Sequence, residues 1–566
     1  MLIKKGNKLI LEGTNYPEQL NSVQGATRIK GGWSFPIDYF CVNKISTILG
    51  TRLTSSDEVK KWYYEERERQ ILANKVLKND IKDISSLNNI KGLNKELKDY
   101  QLQAVRFFLA TNRCMIAFDA GLGKTLVAIN CIKAIKAKKV LVVCPSYLKY
   151  NWEDEINKWS KLTCSVINGT SSQREEGFKD YKSNNKNVLI INYEQIRYKV
   201  TKGENNKVIN REIKIHKDIL EPIWDLIIMD ESHRLKSRDS QVSEGMLKLK
   251  SKGKLMLTGT PINKCETEIW KPFKILDKQR FTSYWKFANY YCHVEDGFYS
   301  KEIKGLRNKK EYNKLLSRYM LRKKKEDVID LPDKVVKTIK IDLTGKQLAI
   351  YKQAEKDYLN PKGKIIESDV EKFIRINQIV QNPAILDGEN VSCLTDTAIE
   401  ILNDKEEKFI IGCVYIGMSE LVYEAIKKKF PKRNVFLVNG TIKVRERYEI
   451  IEDWKKARNS IIITTIKAMS EGLNLDICDN MMYLDYDWSN SANSQFSNRI
   501  HRMTSTEIKF YYHLIVRNTC HEYKYYKLMN EDKRMSEAIN DTPSNIKYLA
   551  EQYIDYVNNS KEVDQC

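Results

Sequence analysis

Two series of short apolar runs, separated by amphipathic stretches of helical period, constrain this chain more than any other feature. The first series is Cys114 to Phe118, Val140 to Cys144, Val188 to Ile191, Leu226 to Met229 and Leu255 to Leu257. The second is Phe409 to Val414, Val435 to Val438, Ile461 to Thr464 and Met481 to Leu484. Runs that are apolar without alternation suit strands covered on both faces, and helices between them suit parallel pairing. The chain therefore reads as α/β, with two parallel-sheet lobes at 97–263 and 405–515. The stretch 264–404 between them is helical, aromatic-rich and basic, and too long for a connector. It reads as a helical insertion and lobe-bridging region.

Residues 1–55 alternate short apolar runs with turns (Leu9-Ile10-Leu11, the Gly31-Gly32 pair, Trp33-Ser34-Phe35-Pro36), the pattern of a small α+β domain. From Asp57 to about Asp83, Trp62, Tyr63, Ile71, Leu72 and Val76 recur at helical spacing, which makes 56–96 a helical linker. Residues 516–566 read as bracing helices with a tail that turns polar from Asn545.

A chain of 566 residues exceeds one core, so roughly two to four domains are expected. Its net charge of +22 points to a polyanionic partner, nucleic acid being the simplest, or else to a lysine-rich solvated surface. The 12 cysteines stand singly without a C-x-x-C, which argues against zinc. Without a secretory leader they are expected to be reduced thiols in a cytoplasmic protein of a bacterium or phage-infected cell. No apolar stretch reaches membrane-spanning length, so no membrane partner is expected.

Chemistry enters at Gly121-Leu122-Gly123-Lys124-Thr125, between the run ending at Phe118 and a helix over Leu126 to Ile135. Glycines allow backbone N–H groups to approach phosphate oxygens, and a helix N-terminus adds partial positive charge. Lys124 is suited to the β- and γ-phosphates and the Thr125 hydroxyl to Mg²⁺. Phe118 occupies the first glycine position of the full G-x-x-x-x-G-K-T spacing, so the match is incomplete. About a hundred residues on, Asp230-Glu231-Ser232-His233 follows an apolar run. A carboxylate at the C-terminal end of a buried strand can hold Mg²⁺, and its neighbour can orient the attacking water. Asp230 takes the metal role and Glu231 the water. The Thr258-Gly259-Thr260-Pro261 stretch offers hydroxyls to that pair; alone it is a turn. Gln495, Arg499 and Arg502 fall on one helical face. Those arginines either stabilise charge on the transferred phosphoryl group or pack against an acidic neighbour or nucleic acid.

The order of these motifs resembles the Swi/Snf-type DNA-translocating ATPases of helicase superfamily two. That resemblance implies RecA-like lobes and the use of ATP and Mg²⁺. Leu97-Lys98-Asp99-Tyr100-Gln101-Leu102 looks like the entry motif, which gives Gln101 the adenine. Val143-Cys144-Pro145-Ser146-Tyr147-Leu148, with Asn151-Trp152 beyond, resembles a motif that grips a DNA strand. Ile191-Asn192-Tyr193-Glu194 resembles the next one, and Asn439-Gly440-Thr441 a third in the second lobe. Ser146, Tyr193 and Asn439 are thus implied DNA contacts.

Tyr319 to Val328, followed by Leu331-Pro332, is similar to the family's bridging segment, and Ile376 to Pro383 to the helix preceding its second lobe. Such segments weigh against an RNA helicase. Glu471-Gly472-Leu473-Asn474-Leu475 and Asp485 with Trp488 keep the family order. Ser232 stands where most members have alanine, and Asn498 where they have aspartate. Ile29 to Pro36 is similar to the HepA-related domain of annealing helicases and to the front domain of phage branch-migration helicases. Arg28, Lys30, Trp33 and Tyr39 there are suited to an exposed base at a junction.

The function implied is ATP-driven translocation on double-stranded or branched DNA, serving branch migration, fork regression or annealing beside replication or recombination proteins. The alternatives are an ATP-gated DNA clamp or recruitment module without stepping, and a strand-separating helicase.

Overall fold

The computed structural model describes the chain except residues 7, 14, 79–96, 203–207, 214, 263–264, 297–300, 326, 329–331, 344, 358–368, 470–474, 502–504 and 539–566. It divides into two compact units, Met1–Val328 and Ile329–Cys566. No helix among the described residues is long and apolar enough to cross a membrane. The described cysteines are all free thiols, most of them buried.

The first unit opens with four antiparallel strands, β1 (Leu2–Lys5), β2 (Lys8–Glu12), β3 (Thr27–Ile29) and β4 (Gly32–Pro36), in the order β1-β2-β4-β3. The glycine pair has a steric cause. Gly32 has φ +156°, and a Cβ there would lie 2.0 Å from the Leu11 carbonyl oxygen. Paired on both edges, β4 buries Trp33 and Phe35, which stack at 6.4 Å in a core with Leu2, Leu9, Leu11 and Ile45. This corrects one expectation: Trp33 is 3% exposed and has no face to offer a base. Lys30 and Arg28 are exposed on the β3–β4 hairpin. The linker helix runs Asp57–Leu77, capped by Ser56, whose side chain accepts from the Val59 N–H; its expected continuation toward Asp83 lies outside the described residues.

Loops flanking the small sheet are tied to the segment Arg280–Lys286. Asp38 receives Arg280 at 2.8 Å with both side chains buried, and Lys286 donates to the carbonyls of Gly25 and Ala26.

The large sheet of this unit uses β5 (Arg113–Phe118), β6 (Val140–Cys144), β7 (Cys164–Val166), β8 (Val188–Asn192), β11 (Ile223–Met229), β12 (Lys250–Thr258) and β15 (Met320–Lys323). Two hairpins lie apart from it, β9 (Tyr198–Lys202) with β10 (Val208–Ile213), and β13 (Cys292–Asp296) with β14 (Lys301–Leu306). The order is β15-β5-β12-β11-β6-β8-β7, and every pairing is parallel. All five apolar runs of the first series are strands. The sequence pattern did not reveal β7, three residues long, or β15, whose Arg322 and Lys323 hide its strand character. β15 comes from the stretch read as bridging and adds an edge beside β5.

The second unit is a six-stranded sheet of β16 (Lys334–Ile341), β17 (Phe409–Cys413), β18 (Val435–Val438), β19 (Ile461–Thr465), β20 (Asn480–Tyr483) and β21 (Lys509–Val516). Its order is β16-β21-β20-β17-β19-β18, again parallel throughout. A polar network is buried within it. Lys524, on the helix Cys520–Ala538, lies 3.0 Å from both carboxylate oxygens of Asp485. Asn377 and Gln381, on the helix Asp369–Gln381, donate to the same carboxylate. His521 Nδ1 accepts the Val516 N–H, and its Nε2 lies 3.2 Å from Asp485. All five side chains are 0% exposed.

Candidate nucleotide site and nucleic-acid contacts

Three loops converge because their strands are neighbours. β12 lies between β5 and β11, so the glycine loop after β5, the Thr258-Gly259-Thr260 turn after β12 and the carboxylates after β11 emerge side by side. With neighbouring strands about 4.8 Å apart, the ends of β5 and β11 are about 10 Å apart.

The glycine loop holds Gly121 and Gly123 at φ 87° and 76°, and Lys124 opens the helix Lys124–Ala134. Both glycines use conformations that a side chain disfavours. At Gly123 a Cβ would also lie 2.4 Å from Nε2 of Gln101. The Lys124 ammonium donates to the carbonyls of Phe118 at 2.9 Å and Asp119 at 3.3 Å. Burial lowers its pKa, and the charges of Glu231, Asp230 and Asp119 oppose that shift. Thr125 is the second residue of the same helix. Gln101 is 2% exposed; its amide donates to Leu122 O at 3.1 Å and accepts the Lys98 N–H at 3.0 Å. It thus ties the entry motif to the phosphate loop.

Asp230 is pinned on every side. Its N–H donates to Val143 O at 2.8 Å. Its Oδ1 accepts the Glu231 N–H at 2.9 Å, its Oδ2 accepts Nε1–H of Trp152 at 2.9 Å, and its carbonyl accepts the Tyr193 hydroxyl at 2.6 Å. Burial, together with the Glu231 carboxylate beside it, raises its pKa. Each carboxylate oxygen keeps a lone pair. Mg²⁺ takes one or two carboxylates with phosphate oxygens and water, and Asp230 with the Thr125 hydroxyl is a donor set of that kind.

Glu231 sits at φ 48°, a left-handed conformation uncommon for a non-glycine residue, which turns its side chain out of the strand direction. Its Oε2 lies 3.2 Å from His233 Nδ1. Thr258 Oγ1 approaches the same nitrogen at 3.5 Å and accepts the Thr260 N–H. The turn therefore meets the carboxylate pair through His233. The Ser232 hydroxyl is fully buried and has no hydrogen-bond partner among the described residues.

Two groups that sequence reasoning passed over complete the loop's support. Arg322 of β15 donates to the carbonyls of Ala117 at 2.9 Å and Gly259 at 3.1 Å, and pairs with Asp119 at 2.6 Å. Asp119 also accepts the Lys325 N–H at 3.0 Å. The only advance signal was an acid directly after the β5 run and arginine within a basic segment.

The expected DNA contacts divide. Ser146 is exposed at the end of β6 and Lys30 on its hairpin. Tyr193 and Asn439 are corrected together with Trp33. Tyr193 is 2% exposed and spends its hydroxyl on Asp230. Asn439 is 1% exposed, donates to Glu420 and Ser419, and accepts from the Thr441 N–H and hydroxyl. Both side chains are enclosed by protein. In the second unit the helix Asn490–Ser497 ends before Arg499, so Gln495 and Arg499 do not share a helical face. Arg499 is buried, its carbonyl accepting the Leu475 N–H at 3.1 Å. Arg502 and Glu471 to Asn474 lie outside the described residues.

Comparison with known proteins bears on this geometry. Residues 58–385 match the SNF2-related domain, and residues 390–504 match the helicase conserved C-terminal domain. The chain is 25% identical over 444 residues to the bovine DNA annealing helicase and endonuclease ZRANB3, covering 75% of this chain and 39% of that protein. It is 23% identical to the putative ATP-dependent helicase/translocase YwqA of Bacillus subtilis, covering 75% of this chain and 47% of that one. The chain thus spans less than half the length of these relatives. The Sulfolobus solfataricus SWI2/SNF2 ATPase core in complex with dsDNA aligns with 82% of this chain and 97% of that one, at 22% identity and a TM-score of 0.37. Residues 58–385 make up more than half of this chain, so the chain belongs to the SNF2-related family.

Proposed function

We propose that the protein is an ATP-driven translocase on double-stranded DNA that remodels branched structures by branch migration, fork regression or annealing. The placing of the glycine loop and the Asp230-Glu231 pair at the ends of β5 and β11, on either side of β12, carries the enzymatic part of this reading. Lys124 binds the β- and γ-phosphates, and Gln101, which resemblance assigns to the adenine, holds the phosphate loop through Leu122. Thr125 and Asp230 would hold Mg²⁺, which would neutralise phosphate charge. Glu231 orients a water and takes its proton as the water oxygen bonds to the γ-phosphorus; the bond from that phosphorus to the bridging oxygen breaks, and ADP and phosphate leave. Arg499 and Arg502 are, by resemblance, the candidates for stabilising charge on the transferred phosphoryl group.

Translocation calls for backbone contacts without base readout, and Ser146 with the net charge of +22 suits that task. The branched-DNA part is supported by the Ile29 to Pro36 resemblance, the exposed Arg28 and Lys30, and the likeness to an annealing helicase. Lys124→Ala is expected to bind DNA and hydrolyse almost no ATP. Glu231→Gln should bind ATP and turn over about 10²-fold more slowly. The deciding measurement is ATPase stimulation by linear, forked and four-way duplexes, joined to displacement of a triplex third strand. Stimulation by branched DNA and ATP-dependent displacement are expected; stimulation without displacement would leave a clamp, and indifference to branching would remove the remodelling role.

A further inference from the structure

We propose that Trp152 and Tyr193 form a clamp that positions the metal-binding carboxylate of Asp230, although both lie in segments whose resemblance assigns them to DNA. The inference rests on the reading of Asp230 as the Mg²⁺ ligand. Trp152 belongs to the helix Lys149–Trp159, which follows β6, and Tyr193 stands at the end of β8. β6 is the neighbour of β11, and β8 the neighbour of β6, so both aromatics approach Asp230 from the side away from the glycine loop. Trp152 is 0% exposed, and its indole N–H is a donor that burial obliges to find an acceptor. That acceptor is Asp230 Oδ2 at 2.9 Å. The Tyr193 hydroxyl holds the carbonyl of the same residue at 2.6 Å.

The arrangement does two things. It fixes the side-chain torsion of Asp230, because Oδ1 is already committed to the Glu231 N–H and Oδ2 is held by a rigid ring. It also fixes the peptide leading into Glu231, whose left-handed φ of 48° needs support from its surroundings. Groups that hydrogen-bond a ligating carboxylate without touching the metal commonly change metal affinity 10- to 100-fold when removed. Trp152 and Tyr193 are therefore positioning residues, and their chemistry explains why tryptophan and tyrosine stand there instead of phenylalanine.

The test is ADP binding to the full chain by calorimetry, with and without Mg²⁺. Trp152→Phe should lower the Mg²⁺-dependent gain in ADP affinity about 10-fold and leave metal-free ADP binding as in the wild type. Tyr193→Phe, which removes one oxygen, should give a smaller loss of the same kind. Because Trp152→Phe also removes volume, 3-benzothienylalanine incorporated at position 152 supplies the isosteric ring without the N–H, and it should reproduce the Trp152→Phe loss. An unchanged gain in Trp152→Phe, equal weakening with and without Mg²⁺, or wild-type behaviour of the benzothienyl protein would overturn the clamp. Asp230→Asn separates the two layers. If it keeps the full Mg²⁺-dependent gain, Asp230 is not the metal ligand and the underlying reading fails; if it loses the gain while Trp152→Phe keeps it, only the clamp fails.

Discussion

Removing either partner of the Lys524–Asp485 pair should destabilise the second unit strongly and unequally. At 3.0 Å, two unit charges attract by about 5–6 kcal/mol at an effective dielectric of about 20. Truncating one member of a buried pair typically costs about 3–5 kcal/mol. Lys524→Met leaves the carboxylate with the amides of Asn377 and Gln381, the Tyr486 N–H and His521 Nε2, so the cost should lie near the lower end, about 3 kcal/mol. Asp485→Ala leaves a fully buried ammonium 4.0 Å from the centre of the Trp488 ring, and should cost about 4–5 kcal/mol. The double variant should recover at least about 2 kcal/mol relative to the sum of the two.

Hydrogen exchange of peptides covering Asn480–Tyr483 and Lys509–Val516 reads the opening of this unit without requiring two-state unfolding of the whole chain. The pair also has a pH signature. Burial pushes the Asp485 carboxyl up, but Lys524 and His521 override it and hold the group well below the usual carboxylate range. A carboxyl lowered by folding stabilises above its unfolded value of about 3.9, and that contribution fades as pH falls below it. The wild type should therefore lose protection on acidification below about pH 4, and Lys524→Met should lose less over the same range. If Lys524→Met proves costlier than Asp485→Ala, or if the costs simply add, the ion pair is not what joins these residues.

Ser232→Ala should stabilise the first unit by about 1 kcal/mol in thermal unfolding and preserve ATP turnover, because it removes a buried hydroxyl lacking a partner among the described residues. A loss of stability would expose a hydrogen bond at that hydroxyl. Trp33→Ala should cost about 3–5 kcal/mol and release the small sheet to proteolysis, while Lys30→Ala should leave stability unchanged and weaken binding to four-way DNA. Arg322→Ala removes the tie between the glycine loop and the Gly259 turn. ADP affinity should fall several-fold, roughly 1 kcal/mol, with the fold retained by circular dichroism; unaltered affinity would show the loop to be held without it.

The sequence by itself determined the two sheets and the chemistry of the nucleotide loops. Fully apolar runs such as Val140 to Cys144 suit strands covered on both faces, as in a parallel sheet between helices, and Gly121-Leu122-Gly123-Lys124-Thr125 has the composition that suits a phosphate. Those signals are local, written within a few consecutive residues. The tertiary structure decided which residues serve which neighbour. It set β12 between β5 and β11, brought Arg322 across about two hundred residues to Asp119, and turned Trp152 and Tyr193 inward to Asp230. It also withdrew Trp33 into a core and closed Asn439 into its own turn. An aromatic ring or an amide can face a ligand, a carboxylate or a core with equal ease, and only packing at long sequence separation selects among them.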